Sequence, residues 1–111
     1  MSNLIDKTVD FLKILSHPIR LKIIEILEDG EKNVNDIQEA LSISQSTTSQ
    51  HLKKLTNANL LEYRQDGLHN IYRIKNPNIH NLILVIEKFI SDQETERIRS
   101  VSSSSVKDTL S

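Results

Sequence analysis

The chain has 111 residues, of which 37% are hydrophobic, 26% charged and 4% aromatic, and its formal net charge is −1. This size allows a single domain with a modest core built from Leu, Ile and Val. The absence of cysteine excludes disulfides, thiolate metal sites and thiol redox sensing. No apolar run approaches the ~18 residues that span a bilayer, and the N-terminus has no secretory pattern, so we expect a cytoplasmic protein without a membrane partner.

The charge is unevenly distributed along the chain. Residues 1–41 contain five basic and eight acidic side chains, and residues 76–111 contain four basic and five acidic ones. Between them, residues 42–75 hold five basic side chains against two acidic ones. This local excess favours contact with an anionic partner through the middle of the chain.

Two helices are predicted at the start of the chain. Apolar residues recur at three- and four-residue spacing over residues 4–15, which is typical of an amphipathic helix. Pro18 suits the first turn of a second helix, with Ser16 or His17 as its cap, and Gly30 ends that helix.

The next segments predict a helical pair and a hairpin. Asn33 or Asn35 caps a short third helix, and a tight turn at 42–44 leads to a fourth helix with Ser44 as its N-cap. Two strand-like segments then flank Asp66-Gly67, which predicts a two-stranded hairpin.

A fifth helix is predicted over residues 77–90, followed by a Ser-rich end. We therefore divide the chain into a helical domain with a hairpin, residues 1–91, and a polar tail, residues 92–111, that is a frayed helix or disordered. The predicted fold is mainly α with a small β-hairpin, that is, a winged helix-turn-helix.

The fourth helix has an unusual polar face. At 100° per residue, Thr48, Leu52 and Leu55 point to one side. The opposite face carries no acidic residue and consists of Gln45, Ser46, Ser49, Gln50 and Lys53. An ordinary solvent-exposed face carries Glu–Lys pairs, whereas short donor-acceptor side chains suit the reading of base edges in the major groove. A merely polar exposed helix explains the polarity but not the missing acidic residues.

Three segments together are similar to one known family. They read LSHPIRLKIIEIL at 15–27, SQSTTSQHLKKLTNANLL at 44–61 and YRQDGLHNIYRI at 63–74. Over about residues 8–90 the chain resembles the ArsR/SmtB family of dimeric winged-helix transcriptional regulators. The resemblance implies that Gln45, Ser46, Ser49 and Gln50 face the bases. It also implies that the hairpin tip around Arg64 and His69 lies along the DNA backbone or minor groove, although Leu68 replaces the family's usual basic residue.

The resemblance also raises the question of a metal. One site type in the family uses Cys-x-Cys on the third helix, where this chain has Asn33 and Asn35. A second type uses four positions on the last helix, of which only His80 and Glu94 are good ligands here. Because amides bind soft metals poorly and tetrahedral zinc needs three or four good donors, we expect no metal and no cofactor.

The last helix is more apolar than one packing face requires. Its apolar residues are Ile79, Leu82, Ile83, Leu84, Val85, Ile86, Phe89 and Ile90. A stripe this wide predicts a homodimer in which helices 1 and 5 form the interface. The alternative is that both helices cover the core of one monomer.

These patterns predict a sequence-specific DNA-binding transcriptional regulator, a repressor, that binds a pseudo-palindromic operator as a homodimer. Besides the base-facing residues, the predicted DNA-binding set comprises Lys53, Lys54, Arg64, His69 and Arg73. The alternative function, a winged-helix protein-interaction module without a DNA target, is favoured by the near-zero net charge and by Leu68. The sequence has no cysteine nucleophile, Gly-rich phosphate loop or carboxylate–histidine cluster, so we predict no enzyme. No pattern identifies an effector.

Overall fold

The structure is a computed structural model that describes residues 3–110, with side chains described for residues 3–101. In chain order the helices and strands are α1 (Leu4–Leu15), α2 (Pro18–Glu28), β1 (Lys32–Asn33), α3 (Val34–Leu41), α4 (Gln45–Asn57), β2 (Leu61–Asp66), β3 (His69–Ile74) and α5 (Asn78–Leu110). The predicted mainly helical fold with a β-hairpin is confirmed. By its internal contacts the chain divides into one unit that ends at Pro77 and a second that begins at Asn78.

Polar side chains cap the helices of the first unit. The His17 Nδ1 accepts from the Ile19 amide at 3.2 Å, and Asn33 Oδ1 accepts from the Asp36 amide at 2.8 Å. Of the two caps predicted for each helix, His17 is therefore the N-cap of α2 and Asn33 is the N-cap of α3. Ser44 is confirmed as the N-cap of α4, since its Oγ accepts from the Thr47 amide at 3.1 Å. Such caps satisfy amides that the helix itself leaves unpaired.

The turn between α3 and α4 depends on one left-handed residue. Ser42 has φ 54°, and its amide bonds back to the Glu39 carbonyl at 3.2 Å. The following amide, of Ile43, donates to the Gln38 carbonyl at 3.4 Å, which closes the end of α3. This turn fixes the angle at which α4 leaves α3.

The sheet has one strand more than predicted. β1 pairs antiparallel with β3, so that the strand order is β1-β3-β2. The predicted hairpin is confirmed, with Asp66 opposite His69 and a two-residue turn between them. Gly67 takes φ +64°, a conformation that glycine adopts without strain, at the first position of that turn. The two residues of β1 are too few to give a sequence pattern, which is why the pattern predicts only two strands.

The core of the first unit fixes the orientation of α4. Thr48, Leu52 and Leu55 are all fully buried, as predicted, and the Thr48 Oγ1 donates to the Ser44 carbonyl at 2.8 Å. They pack in a core with other fully buried side chains, namely Ile23, Ile24, Ile37 and Leu61. Full burial of each aliphatic side chain contributes about 1.5–3 kcal/mol, so rotation of α4 about its axis is strongly disfavoured. The opposite face of α4 is thereby held outward.

The last helix is longer than its apolar stripe predicts. α5 has 33 residues and runs through Leu110 instead of ending near residue 90. Ion pairs at three- and four-residue spacing support the added turns, joining Lys88 to Asp92 at 2.8 Å and Glu94 to Arg97 at 3.0 Å. The predicted division at residue 91 stays a prediction, and Ser111 of the predicted tail lies outside the described residues. No helix within residues 3–110 is long and apolar enough to cross a bilayer.

Candidate nucleic-acid interface

The outward face of α4 is exposed and free of acidic side chains. Its exposed residues are Gln45, Ser46, Ser49, Gln50, Lys53, Lys54 and Asn57. At 100° per residue they occupy one half of the helix circumference, with Gln45 and Ser49 at one edge and Lys54 at the other. Ser46 and Lys53 lie midway between these edges. These seven exposed residues form one continuous surface, which we call the α4 face. The four predicted base-facing residues all belong to it.

A hollow borders the α4 face on the side of the hairpin. It has a volume of about 400 Å³, and we call it the wing-side hollow. Its lining residues are Val34, Asn35, Gln45, Ser49, Leu68, His69, Asn70 and Tyr72. The structure thus brings the predicted site residue His69 near Gln45 and Ser49. The Leu68 side chain at the hairpin turn is fully exposed.

A second hollow, of about 270 Å³, borders the α4 face on the side of α2, and we call it the α2-side hollow. Its lining residues are Arg20, Gln50, His51, Lys53, Lys54 and Asn57. None of them is acidic. Within the described part of the chain, Arg20, Lys53 and Lys54 have no carboxylate partner. This side of α4 therefore carries uncompensated positive charge.

Arg20 and His51 join α2 to α4 at this hollow. The Arg20 Nε donates to the His51 Nδ1 at 3.1 Å, and its Nη1 donates to the Ile14 carbonyl at 3.0 Å. The His17 ring lies against the His51 ring, with centroids 4.4 Å apart. Burial lowers the pKa of His51, and the neighbouring His17 and Arg20 lower it further. His51 is therefore neutral near pH 7. Sequence reasoning missed Arg20, since no local pattern links residues 31 positions apart.

The two hairpin arginines are placed differently from the lysines of α4. Arg64 Nη2 lies 2.9 Å from Glu31 Oε2, and Arg73 Nε lies 2.7 Å from Glu62 Oε1. Glu31 also approaches Arg73 Nη1 at 3.7 Å, so one carboxylate contacts both arginines. The hydrogen bond to Glu31 raises the pKa of Arg64. Glu31, just before β1, is a partner that sequence reasoning missed.

Arg64 and Arg73 are not among the residues that line the wing-side hollow. Arg64 follows Tyr63 on β2, and Arg73 follows Tyr72 on β3, so each arginine lies on the opposite sheet face from its neighbouring tyrosine. The two tyrosine rings contact each other at 5.3 Å, and Tyr72 lines the hollow. His69 lies on the arginines' sheet face but next to the turn, and it lines the hollow together with Gln45 and Ser49, whereas Arg64 and Arg73 do not line it.

A metal ion bound by the described residues would need a cluster of ligating side chains. Among those residues, no three His, Asp or Glu side chains are grouped so that they hold a metal ion. Asn33 is occupied as the cap of α3, with its Oδ1 accepting the Asp36 amide.

Comparisons with known proteins place this chain in a family. The sequence model described as "Bacterial regulatory protein, arsR family" matches residues 17–63. The transcriptional repressor PagR of Bacillus anthracis is 37% identical over 83 residues, which cover 74% of this chain and 83% of PagR. This relative and the family model confirm the resemblance that the three sequence motifs indicate.

Solved structures agree with the fold. The crystal structure of Mycobacterium tuberculosis Rv0081 aligns with a TM-score of 0.80 at 29% identity, covering 88% of this chain and 99% of Rv0081. A Mycobacterium bovis domain aligns with a TM-score of 0.71 at 26% identity, covering 83% of this chain and 92% of that domain. It is described as the homodimeric winged helix-turn-helix DNA-binding domain of a possible ArsR-family transcriptional regulator. The predicted winged helix-turn-helix is therefore confirmed, and the chain belongs to the arsR family of bacterial regulatory proteins.

Proposed function

We propose that this protein is a transcriptional repressor that binds a pseudo-palindromic DNA operator as a homodimer, with α4 in the major groove. The observation that carries the proposal is the α4 face, which is exposed, lacks acidic side chains and consists largely of Ser and Gln. Membership of the arsR family and the similarity to a named transcriptional repressor support it. A regulator of this kind acts on the chromosome, so we place it in the cytoplasm, and we propose no enzymatic activity.

Gln45, Ser46, Ser49 and Gln50 are assigned to base readout. The major groove is about 12 Å wide and admits an α-helix, provided that its side chains allow close approach. A glutamine amide pairs bidentately with adenine, and a serine hydroxyl both donates and accepts. The firm packing of Thr48, Leu52 and Leu55 presents this face without rotational freedom.

Phosphate contacts are assigned to basic residues according to their partners in the free protein. Lys53 is exposed on the α4 face without an ion-pair partner in the described chain, and so is Lys54. Arg64 and Arg73 contact carboxylates, so binding a phosphate requires them to exchange one anion for another. We therefore assign a larger electrostatic contribution to the two lysines than to the two arginines. His69 lies at the edge of the wing-side hollow and is assigned to the backbone or minor groove.

The homodimer is proposed from two exposed apolar helix faces. In α1, Leu4 is 79% exposed and Ile5 is 72% exposed; in α5, Val85, Phe89 and Ile90 are exposed. Water contact with this much apolar surface is unfavourable by about 25 cal/mol per Å², so a second copy is a suitable partner. The M. bovis domain is described as homodimeric. Two-fold symmetry then sets two α4 helices about 34–36 Å apart, on successive major grooves.

The test is selection of genomic fragments by the purified protein, followed by mobility-shift titrations and a promoter fusion to a reporter. We expect enrichment of one inverted repeat, binding that weakens steeply with salt, and higher reporter expression when the gene is deleted. Weak binding to every duplex with little salt dependence would contradict the proposal. That result would favour the alternative of a protein-interaction module, for which the fully exposed Leu68 is the supporting observation.

A further inference from the structure

The α2-side hollow gathers cations that have no carboxylate partner. Among the described residues, Arg20 bonds only to the Ile14 carbonyl and to His51, and Lys53 and Lys54 have no ion-pair partner there. The hairpin arginines, by contrast, are each held by a carboxylate. Unpaired cations that converge on a concave surface favour an anion as its occupant.

The hydrogen bond from Arg20 fixes the tautomer of His51. An Arg Nε–H is only a donor, so the His51 Nδ1 that it contacts at 3.1 Å must accept. The proton of the neutral ring is then on Nε2. His51 lines the hollow, and no acceptor for its Nε2 lies within the described residues. The ring therefore offers an oriented donor that no described residue accepts.

The position of the hollow relative to the α4 face identifies the anion. Gln50 and Lys53 belong both to the α4 face and to the lining of this hollow. A helix in the major groove has a sugar–phosphate backbone on each side, because the two strands border the groove. The wing-side hollow lies along one edge of α4 and the α2-side hollow along the other. A DNA phosphate is thus brought to the second hollow by the same docking that brings bases to Gln50.

We propose that the α2-side hollow is a phosphodiester-binding site in which His51 Nε2–H donates to a phosphate oxygen and Lys54 supplies the opposing charge. Arg20 acts as a positioning residue that orients the His51 ring. The inference rests on the proposed function, since the phosphate belongs to the operator, and it adds His51, Arg20 and a defined contact to the assigned DNA-binding residues.

The experiment replaces single operator phosphates by neutral methylphosphonates and measures the dissociation constant for each modified duplex. For the wild-type homodimer we expect one phosphate in each half-site at which the replacement weakens binding about tenfold, because a charge-assisted hydrogen bond and an ion contact are lost together. In Lys54→Gln and in Arg20→Gln, replacement of that same phosphate is expected to cost less than about threefold. Lys22→Gln is the matched control, since Lys22 is exposed two residues further along α2 and about 200° from Arg20, and it should retain the tenfold loss.

These outcomes separate the possible failures. If Arg20 merely supports the fold, Arg20→Gln weakens binding but keeps the full sensitivity to that phosphate, and the positioning role is overturned. Lys54 is exposed, so Lys54→Gln tests the site even where Arg20→Gln does not fold. A wild-type protein that selects an operator but has no such phosphate overturns the inference alone, and failure to select any operator overturns the proposed function as well. The His51 resonances are also followed by NMR during titration with inorganic phosphate. If their shifts reach saturation at a low phosphate concentration, the hollow binds a free anion, and the assignment to a DNA phosphate is overturned.

Discussion

Lys53→Gln is expected to flatten the salt dependence of operator binding. Lys53 is exposed midway across the α4 face and has no ion pair in the described chain, so its full charge is available to DNA. Each phosphate neutralised contributes about −0.9 to the slope of log K against log salt concentration. A homodimer loses two such contacts, so the slope becomes less negative by about 1.8. Between 50 and 200 mM salt, the wild-type protein should therefore lose about 12-fold more affinity than the variant.

Fluorescence anisotropy with a labelled operator, measured at four or more salt concentrations, gives both slopes. Lys22→Gln serves as the control, because it removes the same charge from the far side of α2 and should leave the slope unchanged. Arg64→Gln should change the slope less than Lys53→Gln does, because Arg64 already contacts Glu31. An unchanged slope in Lys53→Gln, or an equal change in Lys22→Gln, would refute the assignment of phosphate contacts to the α4 face.

Three further predictions concern single residues. Gln50→Ala should weaken discrimination at one base position of each half-site by about 1–3 kcal/mol, measured by mobility shift against single-base operator variants; unchanged discrimination removes Gln50 from base readout. Because burial, His17 and Arg20 lower the pKa of His51, the folded protein should lose stability as the pH falls below the ordinary value of 6.5, and His51→Gln should reduce that loss in denaturant titrations. An identical pH dependence in the variant would contradict this sign. Ser42→Gly should raise the free energy of unfolding by about 0.5–1 kcal/mol, because Ser42 has φ 54°, and a lower melting temperature would show that the left-handed backbone is not strained.

Local patterns in the sequence were sufficient for the helices that carry the site. The apolar spacing placed Thr48, Leu52 and Leu55 inside, and the structure buries all three. The N-cap at Ser44 and the turn at Gly67 were likewise readable, because capping and tight turns depend on single residues with specific chemistry. The exposure of the α4 face follows from these features, whereas its contact with DNA stays a prediction.

The features that the sequence did not reveal depend on contacts between distant segments. Glu31 and Arg64 are 33 positions apart, and Arg20 and His51 are 31 apart, so no helical or strand period relates them. Charge counting assigned Arg64 a phosphate role without its carboxylate partner. The length of α5 was missed for a different reason, since apolar periodicity ends near residue 90 while charged residues at helical spacing continue.

The central claim is that the α4 face reads base edges in the major groove, and substitution of single purines by their 7-deaza analogues tests it most directly. Each substitution removes only the N7 acceptor, which lies in the major groove. The account predicts two clusters of purines, centred about 10 base pairs apart, at which the substitution weakens binding of the wild-type protein but has less effect on Gln50→Ala. Full-strength binding to every substituted operator would contradict the claim.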